Sequence, residues 1–234
     1  MERIKQLTDY FSKAELLLWS GSVSVILLSF VIFDRVNYIT LAASIIGVTS
    51  LIFSAKGNPL GQLLMVIFSL FYGWISFGYA YYGEMITYLG MTAPMAFFAL
   101  VSWLRHPYKG KRSQVRVNSI SKKEICFMSA LTAIVTVIFY FVLKSFSTAN
   151  LIMSTLSVAT SFAAVYLTFR RSPCFALLYA ANDVVLIVLW ILASFSNKGY
   201  ISVVICFGVF LINDLYGFYN WTKIKNMQKN SQKQ

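Results

Sequence analysis

Negative charge is scarce in this sequence, with eight Asp and Glu among 234 residues. Charged residues of both signs make up only 12%, about half the share of an ordinary soluble domain. A chain so poor in charge cannot clothe a water-facing surface. One histidine and three cysteines, none of them in a CxxC pair, exclude the usual metal-ligand sets. Cys126, Cys174 and Cys206 lie in or beside apolar runs and are read as free thiols buried in helices. No HExxH, GxSxG or phosphate-loop glycine motif is present, so neither an enzyme nor a cofactor is expected. The intramembrane aspartates lack the Gly-x-Gly-Asp context of aspartyl proteases. No small-residue cleavage site follows the polar stretch 1–13, and no cleavable signal peptide is expected.

What the sequence does hold is apolar. Hydrophobic residues reach 58%, aromatic residues 17%, and the mean hydropathy is +0.69. Apolar runs cover 14–33, 38–55, 60–82, 85–104, 124–143, 148–169, 174–195 and 199–221. Each is long enough to cross a bilayer as a helix. They are continuously apolar, which excludes the alternating strands of a barrel. The expected fold is therefore all-α, a polytopic helical membrane protein with the lipid bilayer as its solvent.

The net charge of +12 is not a nucleic-acid signature, because the basic residues form no aromatic-interleaved stripe. They sort by side instead. With the N-terminus inside, the inner segments hold Arg3, Lys5, Lys13, Lys56, Arg105, Lys109, Lys111, Arg112, Arg116, Lys122, Lys123, Arg170, Arg171, Lys223, Lys225, Lys229 and Lys233. The outer segments keep Arg35, Lys144 and Lys198. The positive-inside rule thus predicts an even number of crossings and cytoplasmic termini. The basic stretch 105–123 reads as a solvated cytoplasmic linker, and His106 as a solvated interfacial residue.

Punctuation repeats across that linker. Ser-Ala-Lys-Gly-Asn-Pro at 54–59 joins the second and third helices, as Phe-Arg-Arg-Ser-Pro at 169–173 joins the sixth and seventh. Gly83 opens a helix ending in Trp103, and Gly199 opens one ending in Trp221. The offset stays at about 114 to 118 residues. Helices 2–4 and 6–8 are then two parallel three-helix repeats, a SWEET-like 3+1+3 core with one added N-terminal helix. The expected segments are 1–37 (inner segment and extra helix), 38–104 (first repeat), 105–147 (basic loop and linker helix), 148–222 (second repeat) and 223–234 (basic tail).

An ionisable residue in a transmembrane helix costs roughly 2.5–3.5 kcal/mol on insertion scales, so it should face the bundle interior. Asn182 and Asp183 lie inside the seventh helix, Asn213 and Asp214 inside the eighth, with no Lys or Arg at comparable depth. Tyr179, Asp183 and Trp190 share one helical face, as do Phe210, Asn213, Asp214, Gly217 and Trp221. Gln62, Ser69, Tyr72 and Ser76 recur at helical spacing in the third helix. Aromatics beside amides and carboxylates suit a flat ring bearing hydroxyls. The expected substrate-binding residues are Tyr179, Asn182, Asp183, Asn213, Asp214, Gln62, Tyr72 and Trp190. Glu84 is placed at an outer mouth.

Three segments carry a family resemblance: Phe-Ser-Ala-Lys-Gly-Asn-Pro-Leu-Gly-Gln at 53–62, Tyr-Tyr-Gly-Glu-Met at 81–85, and Asn-Asp-Leu-Tyr-Gly-Phe-Tyr-Asn-Trp at 213–221. Over about 38–223 the chain resembles the Pnu family of vitamin-precursor transporters, whose type member takes up nicotinamide riboside. The resemblance implies uptake by facilitated diffusion across the cytoplasmic membrane, with a cytosolic kinase trapping the substrate as its phosphate. The family's Trp-x-x-Trp-x-x-x-Asn motif falls on Ala176, Tyr179 and Asp183, so stacking on Tyr179 could survive while substrate identity shifts. A deoxynucleoside carrier of the same fold, a proton-coupled carrier, and a non-transporting scaffold or receptor are the other readings of these residues. The sequence leaves the oligomeric state open, a homo-oligomer included.

Overall fold

The computed structural model describes residues 10–78 and 82–231. Arg3, Lys5, Tyr81 and Lys233 lie outside the described residues. Among the described residues eight helices are long and apolar enough to cross a membrane. They are α1 (Lys13–Phe33), α2 (Tyr38–Ala55), α3 (Leu60–Gly78), α4 (Tyr82–Arg105), α5 (Lys122–Ser145), α6 (Leu151–Phe169), α7 (Cys174–Ser194) and α8 (Ile201–Asn230). The all-helical bundle expected from the apolar runs is present. Large apolar side chains such as Leu28, Ile32, Phe97, Ile134, Phe141 and Ile152 stay exposed on its outside, where lipid is the natural neighbour.

Local chemistry sets the helix limits. Ser12 caps α1 and Glu15 reaches back to the Ser12 backbone, a reciprocal pair that satisfies two free amide donors. Ser121 caps α5 in the same way, accepting from the Glu124 amide. Pro94 has no amide proton to give the preceding turn, and α4 widens there into a π-helical turn at Tyr88–Thr92. That extra residue turns Tyr88 and Met91 into the core.

The helices pack in a ring, α2–α3–α4–α6–α7–α8 and back to α2. Outside it, α1 lies against α2 and α8, while α5 lies against α6 and the start of α4. These two are the least buried helices, with 22% and 0% of their apolar stretches covered. Around the ring α2, α3 and α4 are followed by α6, α7 and α8, with α1 beside α2 and α5 beside α6. The side-chain contacts repeat with that order. Glu15 of α1 pairs with Lys56 at 3.0 Å, and Glu124 of α5 pairs with Arg170. Lys56 and Arg170 cap α2 and α6.

Each of those caps leads into a left-handed residue, Gly57 (φ 68°) or Arg171 (φ 55°). Gly57 N–H donates to Ser54 O and Asn58 N–H to Phe53 O, while Arg171 N–H donates to Thr168 O and Ser172 N–H to Leu167 O. Both turns are Schellman closures, and a proline follows each. Arginine at a left-handed position costs about 1–2 kcal/mol of steric strain. Its side chain offsets that by donating to Ser102 Oγ at 2.8 Å and Arg116 O at 3.2 Å.

The close crossing of α2 and α3 depends on Gly61. A Cβ there would stand 2.9 Å from Ser50 O and nearer still to the Ser54 backbone nitrogen, neither of which can yield cheaply. Gly61→Ala is expected to destabilise the protein by about 1–3 kcal/mol through overpacking. Gly208→Ala, where a Cβ meets open space, is expected to be neutral. Thermal unfolding of the two purified variants checks the contrast, and equal midpoints would refute it.

The stretch 105–123 is mostly exposed, as expected of a solvated linker, but it is tied down rather than free. Pro107–Tyr108 (β1) and Lys111–Val115 (β2) form an antiparallel hairpin that runs into a strap across the basic end of the ring. Val115 N–H donates to Gly57 O at 2.9 Å and Asn118 N–H to Arg171 O at 3.0 Å, so the strap is tied to both left-handed turns. Gln228, beyond the apolar part of α8, clamps it by accepting from Val117 N–H (2.9 Å) and donating to Val115 O (3.0 Å). His106 is held too, its Nδ1 lying 2.8 Å from Ser102 O and 3.0 Å from Arg171. Hydropathy could not show this, because on the strap's side the ties to the two turns and to Gln228 all use backbone groups, three of them on Val115 and Val117.

Candidate functional site

The interior of the ring is built in three levels. At the end opposite the strap stands an aromatic layer. Tyr72 of α3 lies 4.5 Å from Tyr88, 6.4 Å from Trp190 and 6.1 Å from Phe207, ring centre to ring centre. Phe68 and Phe210 continue the layer inward. Above it opens a vestibule of about 110 Å³, floored by Tyr72, Ser76 and Trp190 and walled by Asp34, Asn37 and Asn197. Ligand pockets usually hold about 300 Å³ or more, so this vestibule is smaller than an ordinary ligand site.

Below the aromatics lie the carboxyls. Asp183 of α7 and Asp214 of α8 are 4% and 5% exposed and within hydrogen-bonding reach of each other. Among the described residues no donor reaches Asp183 Oδ2. Cys206 of α8 is also buried. A buried carboxyl oxygen without a donor is expensive in a bundle core.

At the basic end a second aromatic group closes the ring. Trp103 of α4 and Trp221 of α8 are both fully buried, their rings 5.2 Å apart, with Phe175 4.9 Å from Trp221. Trp221 Nε1 donates to Ser54 O at 2.7 Å, and Trp103 Nε1 donates to Thr168 O at 2.8 Å. Their neighbours repeat the pattern. Asn220 Nδ2 donates to Ala55 O at 2.9 Å, and Ser102 Oγ donates to Phe169 O at 2.8 Å. Each half therefore grips the turn of the other half. Val115 of the strap is packed with the same cluster.

The expected residues divide among these levels. Tyr72 and Trp190 belong to the aromatic layer opposite the strap, Asp183 and Asp214 to the carboxyl pair, and Tyr179 packs on Phe175 beside the tryptophans at the strap end. Gln62 is buried but donates to Ser54 Oγ at 3.2 Å, tying α3 to α2. Asn182 does not join Asp183, because one residue along a helix turns the side chain by about 100°. Its Oδ1 accepts from Ser157 Oγ (3.2 Å) and Thr160 Oγ1 (2.8 Å) on α6. Asn213 likewise turns from Asp214 and donates to Ser22 Oγ of α1 at 2.9 Å. Glu84 is buried rather than exposed at the bundle end: it is 4% exposed, and Oε2 has no donor among the described residues. Cys126 and Cys174 are exposed on the bundle, and only Cys206 is buried. Tyr88, Phe207 and Cys206 were missed. Pro94, which forces the π-helical turn carrying Tyr88 inward, is the signal that could have found the first.

Comparison with known proteins fits this architecture. The family described as nicotinamide mononucleotide transporter matches residues 37–223. The chain belongs to that family. Among curated proteins it is similar to the nicotinamide riboside transporter PnuC of Neisseria mucosa, at 23% identity over 219 residues, covering 92% of this chain and 82% of the relative. The PnuC of Haemophilus influenzae is 22% identical over 189 residues, covering 80% of each chain. Among solved structures, the crystal structure of the vitamin B3 transporter PnuC superposes with a TM-score of 0.81 at 22% identity, over 93% of this chain and 94% of that one. The fold of this nicotinamide mononucleotide transporter family member is thus PnuC-like. Ala176 is fully buried facing Gly217, and this small-residue contact brings α7 close to α8.

Proposed function

We propose that this protein carries nicotinamide riboside across the cytoplasmic membrane, its basic end in the cytosol, through a site between the two aromatic closures. The observation that carries the reading is the Asp183–Asp214 carboxyl pair beneath the layer of Tyr72, Tyr88 and Trp190. Nicotinamide riboside joins a flat pyridinium cation to a ribose. Aromatic faces attract such a cation, and the carboxyls balance its charge and accept from its hydroxyls. The names of the curated relatives support the same substrate.

Transport follows as alternating access. The ring divides into halves α1–α4 and α5–α8, related by an axis along the membrane normal. In this division α1 is the counterpart of α5 rather than an addition, which the matched Glu15–Lys56 and Glu124–Arg170 pairs support. Rocking of the halves would part Tyr72 from Trp190 on one side, or Trp103 from Trp221 on the other. Movement is downhill, and a cytosolic kinase keeps the free riboside low by phosphorylating it.

A neutral (deoxy)nucleoside is the second reading, favoured by Ala176 and Tyr179 at motif positions. Uptake of labelled nicotinamide riboside into proteoliposomes, together with a thermal-shift panel of that riboside, nucleosides, thiamine and riboflavin, separates the two. A ligand at about 100 times its Kd stabilises by about 2.7 kcal/mol. The riboside is expected to give the largest shift. A larger shift with a neutral nucleoside, and no riboside uptake, would transfer the assignment.

A further inference from the structure

A second cavity, of about 390 Å³, opens at the basic end. Four segments converge on it: Tyr10, the turn after α2, strand β2 of the strap, and the part of α8 beyond the apolar core. Its charged lining is Lys56, Lys111, Lys223 and Glu15. The one carboxylate is already engaged. Its two oxygens lie 3.2 and 3.0 Å from Lys56 Nζ, and Oε1 also accepts from Tyr216 at 3.2 Å. Lys111 and Lys223 have no carboxylate partner among the described residues. The positive-inside rule explains why lysines collect at this end. It does not explain why two uncompensated ones share one concave, polar-lined cavity.

We propose that this cavity binds a phosphate ester on the cytosolic face, between Lys111 on the strap and Lys223 on α8. Lysine ammonium groups are compact point charges suited to phosphate oxygens. Ser113 adds a hydroxyl to the same wall. Tyr10 adds a phenol, placed by Asn58 Nδ2 at 2.9 Å. Burial holds that phenol above its ordinary pKa, and its O–H, which donates to Ser113 O at 3.4 Å, would turn from that carbonyl to reach a phosphate oxygen. The ester is either a soluble monophosphate, the chemical form that trapping produces, or an anionic lipid headgroup.

Occupancy has a mechanical consequence. An anion bridging β2 and α8 fastens the strap to the helix that Gln228 already clamps, next to Val115 and the Trp103–Trp221 closure. It therefore holds the inner side shut and slows transport. The effect on transport rests on the proposed riboside uptake, whereas binding does not.

The test uses the full chain in nanodiscs of zwitterionic lipid. Thermal stability is measured with adenosine monophosphate and with inorganic phosphate, against adenosine and sodium chloride at matched ionic strength, and again in nanodiscs containing phosphatidylglycerol. Stabilisation by the soluble phosphates identifies a free ester as the ligand, and stabilisation only by phosphatidylglycerol identifies the headgroup. In either case Lys111→Gln/Lys223→Gln is expected to weaken the response about tenfold or more. Lys225→Gln/Lys229→Gln removes the same charge outside the cavity and is expected to leave it intact. No response to phosphate or anionic lipid overturns the site, as does an equal loss in both double variants. These readouts stand even if the substrate proves to be another nucleoside.

Discussion

Asp183→Ala is expected to lower riboside uptake tenfold to a hundredfold while leaving the fold as stable as before, or more so. The two halves of that expectation have opposite signs for one reason. Asp183 spends free energy on being buried: it has no basic partner in the described core, and Oδ2 receives no donor from the described chain. Removing a carboxyl from mid-membrane relieves an insertion cost of roughly 2.5–3.5 kcal/mol. What the fold gives up in exchange is the bond to Asp214, itself an acid. Uptake, by contrast, loses a charge-assisted interaction worth about 1.5–3 kcal/mol, which gives the stated range. Asp183→Asn keeps the shape and is expected to fall between the two. Uptake and thermal midpoint are measured on the same preparation. Unchanged uptake would remove Asp183 from the site. A large fall in midpoint would show that the carboxyl holds the helices together instead.

How far the sequence led differs by level. Eight crossings and their limits were plain, because lipid demands long apolar runs and this chain supplies them one after another. The buried acids were plain for the complementary reason: Asp183 and Asp214 stand out in apolar helices. What periodicity could not supply is the direction of each side chain relative to other helices. Asn182 and Asn213 sit next to the aspartates in sequence, yet each turns outward to bond α6 or α1. Glu84 sits at a helix start, where an interfacial role is the ordinary expectation, yet it is buried. The strap was invisible because backbone groups tie it down, and they carry no residue signal. The Ser-Lys-x-Glu starts of α1 and α5, at 12–15 and 121–124, carry a likeness that punctuation by glycine, proline and tryptophan did not mark: Glu15 and Glu124 each pair with a basic residue at a helix C-cap.

Trp221→Ala and Trp103→Ala are expected to lower the thermal midpoint by similar amounts, on the order of 10 °C. Each tryptophan is fully buried, and truncating a buried tryptophan costs about 3–5 kcal/mol in packing and cavity terms. Each also gives up an indole N–H bond across the half-to-half boundary, to Ser54 O or Thr168 O. Those carbonyls still accept from Gly57 and Arg171 N–H, so neither is orphaned and the hydrogen-bond share of the loss stays near ~1 kcal/mol. Phenylalanine separates the two parts, because Trp221→Phe keeps most of the ring and loses the bond. Equal losses at 103 and 221 follow from equivalent halves, since each indole performs the same task for the opposite half. A loss confined to one position would mean that only one carries the closure. Transport supplies a second readout: weakening the inner closure favours the inward-open state, so Trp221→Phe is expected to raise efflux from preloaded vesicles relative to uptake. A variant that unfolds loses both directions together, and the ratio of the two rates therefore distinguishes a loosened gate from a broken protein.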